Sequence, residues 1–174
     1  MERTLNDLVA RICTELDENP GDTAVTGALK KFINTAYKDV AIREKLEKSI
    51  TITAINGIIS KPQDYYDVSD IFYNNCSMEF EERGSDIYVL LPAFDINDDT
   101  ACDVDMLYFY IPADLGDTDT PLTNQANDDL IVAGAKYIYL QSDNQYSKAE
   151  VHNRDYNTLP VRRTRKNMQF KVER

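Results

Sequence analysis

The chain has 174 residues, 43% hydrophobic and 28% charged, the balance of a soluble globular fold large enough for one real core. No apolar run approaches the roughly 18–20 residues of a membrane span, and the start, Met1-Glu2-Arg3-Thr4-Leu5, opens directly on an amphipathic pattern, so no export signal is expected. The net charge of -11 is unevenly placed: Val161 to Arg174 carries six basic residues and one acidic, a local +5, which leaves -16 on the remaining 160 residues.

Thr4 is a good N-cap with Asp7 three residues on, and Leu5, Leu8, Val9, Ile12 and Leu16 follow at helical spacing. Asn19-Pro20-Gly21-Asp22 should end this helix. A second stripe, Leu29, Phe32, Ile33, Ala36, Tyr37 and Val40, predicts another helix, and its pattern allows a run to Leu46 or Lys48. Together they suggest a helical hairpin.

The period then changes. Ile50 to Ile55 is β-branched and bounded by Asn56-Gly57, a strong hairpin signal. Ile58 to Lys61 returns before Pro62, and Tyr65–Val68 and Ile71–Phe80 are further strands. Glu81 to Ser85 reads as a turn, Ile87 to Leu91 as the next strand, and Asp103 to Ile111 as a long aromatic one after an Asp/Asn-rich loop. Helix resumes near Gln125, with Asp128 and Asp129 suited to its first turn and Leu130, Ile131, Gly134, Ala135, Tyr137 and Ile138 on a broad buried face. Asp143-Asn144 breaks it. Ser147 is placed to cap a last helix with Ala149, His152, Tyr156 and Leu159, ending before Pro160.

This order predicts an α+β fold. Two N-terminal and two C-terminal helices, about 4–48 and 125–159, form a bundle, with a β-rich segment, about 50–111, inserted between them. Residues 1–160 make a single domain, and 161–174 are an extended basic tail.

Little in the chain points to chemistry. Asp95, Asn97, Asp99 and Asp103 fit an EF-hand's first, third, fifth and ninth positions. Thr100 stands where its glycine belongs, however, and Met106 where its bidentate glutamate belongs. An acidic loop facing solvent or a channel is the better account. The single histidine, His152, has no triad or zinc partners in view and reads as packed or hydrogen-bonded. Cys13, Cys76 and Cys102 form no CxxC pair and read as buried or half-buried side chains in a reducing compartment. No phosphate-binding glycine motif exists. No enzyme activity, cofactor or metal is therefore expected. The acidic body argues against general nucleic-acid binding, and the eleven tyrosines read as packing rather than as a base-stacking platform.

Several pieces in order resemble the head-to-tail connector, or adaptor, proteins of tailed bacteriophages. They are Leu5-Asn-Asp-Leu8-Val9 with Phe32-Ile-Asn34-Thr-Ala36-Tyr37; Ile52-Thr-Ala-Ile-Asn-Gly57 with Tyr66-Asp-Val-Ser-Asp-Ile71; Ile87-Tyr-Val-Leu-Leu-Pro92 with Leu107-Tyr-Phe-Tyr-Ile-Pro-Ala-Asp-Leu115; and Asp117-Thr-Asp-Thr-Pro121-Leu before Asp128-Asp-Leu-Ile131. The resemblance covers roughly residues 4–160; the chain departs from many relatives in having no tryptophan and an acidic middle. It implies a structural virion protein, a ring commonly of twelve copies docked under the portal, which extends the DNA ejection channel and presents a surface to a tail or nozzle protein. It implies too that the chain's end reaches the portal, through Arg162, Arg163, Arg165, Lys166, Met168 and Phe170. Of the acids, Asp98, Asp99, Asp117 and Asp119 are expected to face the lumen or the tail, letting DNA slide without specific binding. The competing reading is an acidic protein-binding or DNA-mimic module, acting as a monomer or small oligomer.

Overall fold

The structure, a computed structural model, describes residues 3–90 and 101–162. It is a mixed α and β chain with four α-helices and seven strands among the described residues. Two compact units result: a helical one from residues 1–44 and 114–174, and a β one from Lys45–Ala113. No described helix is long and apolar enough to cross a membrane.

In the helical unit, α1 (Leu5–Leu16) begins on the expected capping box. The Thr4 hydroxyl accepts the Asp7 amide at 3.2 Å, and the Asp7 carboxylate accepts the Thr4 amide at 2.9 Å. The helix ends at Asp17, whose φ of 59° reverses the chain. Next, α2 (Thr23–Glu44) is capped by Asp22, whose carboxylate accepts the Ala24 amide at 2.8 Å. A short 3-10 turn (Gln125–Asn127) leads into α3 (Asp128–Ser142), and α4 (Tyr146–Thr158) follows. One core joins the pieces: Leu5, Leu8 and Ile12 of α1, Leu29, Ile33 and Val40 of α2, and Leu130, Ile131 and Ala135 of α3. Two segments of the chain, separated in sequence by the whole β unit, thus make one apolar interior.

Two helix boundaries differ from expectation. The second helix stops at Glu44 rather than running to Leu46 or Lys48. Lys45 turns left-handed at φ 59°, and from Glu47 the backbone pairs with a strand, so tertiary pairing overrides helical propensity. The last helix starts at Tyr146, one residue before Ser147, with Gln145 at the cap position and no side-chain cap bond. Ser147 is therefore inside the first turn and caps nothing.

The β unit runs β1 (Glu47–Ile55), β2 (Ile58–Ser60), β3 (Tyr65–Tyr73), β4 (Cys76–Ser77), β5 (Glu79–Arg83), β6 (Asp86–Leu90) and β7 (Ala101–Tyr110). The strand order is β4-β3-β7-β1-β2-β6-β5, and every pairing is antiparallel. Only Met78 separates β4 from β5, and its amide still donates to the Ile71 carbonyl at 2.8 Å. The segment 76–83 therefore pairs with β3 at one end and β6 at the other. The two end strands of the sheet are thus one stretch of chain, which covers the end of β3 on one side and β6 on the other. Ala54, Ile59, Ile71, Ile87, Val89, Val104, Met106 and Tyr108 fill the inner face.

Asn56 and Gly57 make the expected tight hairpin, both with positive φ (53° and 73°). A side chain at Gly57 would also meet the Val89 carbonyl oxygen at 2.9 Å. The stretch read as one strand from Ile71 to Phe80 is broken by a second turn, Asn74-Asn75, again at positive φ, and the two runs Tyr65–Val68 and Ile71 onward merge into β3 with register shifts. The turn expected over Glu81–Ser85 is confined to Gly84 and Ser85, because β5 stays paired with β6 through Arg83. Cys13 is buried and Cys102 half-buried, but Cys76, on the two-residue strand β4, is exposed; all three thiols are free.

Gly134 marks a close contact of α3 with α2 and α4. A Cβ there would lie 2.7 Å from Tyr156 Cε2 and 3.0 Å from Ala36 Cβ. The Tyr156 ring cannot swing away cheaply: its hydroxyl donates to Asp39, and the Arg43 guanidinium sits 5.1 Å above its centroid. Gly134→Ala should therefore lose about 1–3 kcal/mol to overpacking, against a gain of roughly 1 kcal/mol in helix propensity. A lower denaturation midpoint at unchanged m-value is the expected result. A stabilised variant would mean that the α2–α3–α4 contact is looser than described.

Candidate functional site: the root of the C-terminal tail

The basic C-terminal segment leaves the helical unit at a built node. Asn127, the last residue of the 3-10 turn, is fully buried. Its side-chain carbonyl accepts the Arg162 amide at 2.9 Å, and its side-chain NH2 donates to the Arg162 carbonyl at 2.8 Å. One amide side chain thus clamps the backbone of the tail's first basic residue as a neighbouring strand would. The same NH2 donates to the Glu44 carboxylate at 2.8 Å, and Glu44, only 2% exposed, also accepts the Asn124 amide at 2.8 Å. Val161 packs against the helical core. The basic tail expected from residue 161 is held to the helical unit as far as Arg162, the first of the predicted portal-binding residues. Its side chain lies on an exposed residue. Arg163, Arg165, Lys166, Met168 and Phe170 lie outside the described residues.

Other contacts brace this root. Arg43 donates to the Tyr156 carbonyl at 3.1 and 3.2 Å, placing a cation on the last turn of α4, where the helix dipole favours it. Burial, and then Asp39, pushes the Tyr156 hydroxyl pKa well up, so it remains a donor. Arg3 grips Asp128 at 2.8 and 2.5 Å and the Thr123 carbonyl at 3.2 Å, tying the chain's start to the head of α3. Lys136 donates to Glu15; burial works against the Glu15 carboxylate, but hydrogen bonds from Lys136 and Arg11 outweigh it and hold its pKa below the usual value.

The loop that carries Asp117 and Asp119 is fastened to α1 and α2. The Asp119 and Asp117 carbonyls accept the Leu5 and Asn6 amides at 3.0 and 3.2 Å. These are first-turn donors without partners inside the helix, so the loop satisfies them. The Asp117 carboxylate pairs with Lys30 at 2.7 Å, and the Asp119 carboxylate accepts the Gly116 amide at 2.7 Å. Asn34 holds Leu115 from both sides, at 2.7 Å to its amide and 3.3 Å to its carbonyl. Both acids are exposed, and both have structural work. Asp98 and Asp99 lie outside the described residues, as does most of the EF-hand-like run; its ninth position, Asp103, sits on β7 and accepts from Thr53 at 2.7 Å. Among the described residues no cluster of His, Cys, Asp or Glu is placed to hold a metal ion. His152 is half-buried on α4, with its pKa lowered first by burial and then by Lys136.

Sequence reasoning named the tail and missed its anchor. An asparagine ahead of a helix reads as an N-cap; only the fold shows that Asn127 makes no such cap and turns instead to Arg162 and Glu44. Removing its amide strands buried partners. Asn127→Ala should cost roughly 1–3 kcal/mol, and the Arg162 amide should lose its hydrogen-exchange protection while the α1 and α2 amides keep theirs. Unchanged protection at Arg162 would show that the clamp does not hold the tail.

No curated protein matches the chain. A family model described as SU10 adaptor protein matches residues 3–169. That span takes in both units and the tail root, and agrees with the order of elements that resembles the phage connectors. The chain belongs to the SU10 adaptor protein family, structural proteins of bacteriophage head–tail junctions.

Proposed function

We propose that this adaptor forms a ring, of twelve copies as in the connectors it resembles, below the portal. There it joins the phage head to a tail or nozzle protein and extends the channel through which DNA leaves. The observation that carries this reading is the charge division: a body of -16 and a terminal segment of +5 whose root is clamped into a buried node. An acidic lumen repels the phosphate backbone, so the genome passes without sticking. Asp98 and Asp99, with Asp117 and Asp119, supply part of that charge. Because Asp117 and Asp119 also hold the 114–123 loop, variants testing the lumen charge belong at Asp98 and Asp99.

The C-terminal residues provide the portal contact. Arg163, Arg165 and Lys166 steer it, each rim pair contributing roughly 0–1 kcal/mol. Met168, Phe170 and Val172 alternate with polar residues and lay one apolar face on the partner, as an extended segment does. Clamping Arg162 fixes where this segment starts and lowers the entropy lost when it docks.

Truncation after Arg162 tests this directly. It keeps Val161 in the core and both Asn127 hydrogen bonds, which removal from residue 161 would destroy. The truncated chain should melt within about a degree of the full chain, since exposed surface changes usually stay within ~0.5 kcal/mol. It should also fail to remain on portal-bearing heads at physiological salt. Normal retention on those heads would contradict the portal role.

A further inference from the structure

Among the described residues six non-glycine residues have positive φ, and five of them are Asp or Asn, whose short polar side chains tolerate it. The sixth is Lys45, at φ 59°, exposed and placed where α2 stops. The local sequence gives no reason to stop there. From Ala41 to Lys48 it reads Ala-Ile-Arg-Glu-Lys-Leu-Glu-Lys, strong helix formers apart from one isoleucine, with no glycine or proline. A continued helix would set Glu44 four residues before Lys48, the favourable order for such a pair.

Two sets of bonds hold the stop. On the helical side the Glu44 carboxylate accepts the Asn124 amide and the Asn127 side chain, each at 2.8 Å, and Asn127 closes on both backbone groups of Arg162. On the strand side the Leu46 carbonyl accepts the Tyr110 amide at 3.1 Å, and Glu47 and Lys48 pair with Phe109 and Tyr108. The Lys48 ammonium donates to Asp64 at 3.0 Å. Lys45 stands between the two sets and takes the backbone strain.

We propose that Glu44–Lys48 is a two-state junction and that the clamp on Arg162 holds it in the state the structure shows. In that state α2 stops at Glu44 and β1 is paired from its first residue. In the other, α2 runs on through Lys48 and the start of β1 leaves β7. The two states use the same charged groups differently. In the stop, Glu44 serves the entry turn of α3 and Lys48 serves Asp64; in the run-on helix they serve each other. Loosening the clamp weakens the hold on the Glu44 carboxylate and shifts the population toward the run-on helix. A partner that fixes the tail beyond Arg162 therefore also fixes the first residues of β1. The identity of that partner rests on the portal reading; the coupling belongs to this chain alone.

Hydrogen exchange in the full-length chain tests the coupling. Asn127→Ala opens the node. Arg162→Pro acts from the tail alone: it removes the amide that Asn127 accepts and leaves Asn127 and Glu44 in place. Each should speed exchange of the Tyr110 amide by about tenfold, the effect of losing one buried hydrogen bond, while residues 101–106 of the same strand keep their protection. Residues 45–48 should exchange no faster, because helical bonds replace their strand bonds. Adding Lys45→Gly should undo the effect in either background, since glycine relieves the strain of the stop and disfavours the run-on helix. Should Asn127→Ala not fold, Arg162→Pro with and without Lys45→Gly decides alone. An unchanged Tyr110 amide overturns the proposal. So does faster exchange at Tyr110 and at 45–48 together, which is simple fraying, and so does an effect that survives Lys45→Gly. None of these readouts uses portal-bearing heads, so failure of the coupling and failure of the portal reading are seen separately.

Discussion

The helical core can form only if the two ends of the chain meet, and that closure is the constraint on which the rest depends. Leu130, Ile131 and Ala135 of α3 complete an interior that α1 and α2 leave open. Gly134 leaves the space on α3 into which the Tyr156 ring and the Ala36 methyl pack. Once α3 is seated, its entry turn brings Asn124 and Asn127 to Glu44, and Asn127 has Arg162 within reach. The clamp on the tail is therefore a consequence of the core and not an addition to it.

The same constraint explains how the β unit can be carried as an insertion of 69 residues. Loop-closure entropy grows slowly, by about 0.6 kcal/mol per doubling of length. A closed insertion with its own core adds little further cost, since it orders itself. The single stretch 76–83 pairs with the end of β3 and with β6, so it covers part of each sheet edge with the unit's own chain.

Much of this was legible in the sequence, and the limits have physical causes. The Thr4 capping box, the Asn56-Gly57 hairpin and the switch of hydrophobic period are local signals, and each holds. The end of α2 at Glu44 is set by pairing with β7 and by what the Glu44 carboxylate binds, neither of which leaves a local trace. Asn74-Asn75 does leave one, since paired asparagines tolerate positive φ, but the apolar residues that flank them give the stretch a strand pattern that masks the turn. The tail was visible as charge, while its anchor depends on a residue 35 positions away. Asp117 and Asp119 were visible as acids, while their carbonyls, which hold the start of α1, have no signature in side-chain chemistry.

Membership of the adaptor family fixes the junction at which the protein works. The central claim is that the chain works there as a ring, with an acidic channel and a basic terminal tether rooted at Asn127. Electron cryo-microscopy of the head–tail vertex in intact particles tests that most directly. The account predicts a closed ring of this chain between portal and tail, with residues after Arg162 continuing from the Asn127 clamp onto the portal. A vertex at which the chain stands as isolated copies, or as a ring whose C-terminal segments make no portal contact, would contradict it.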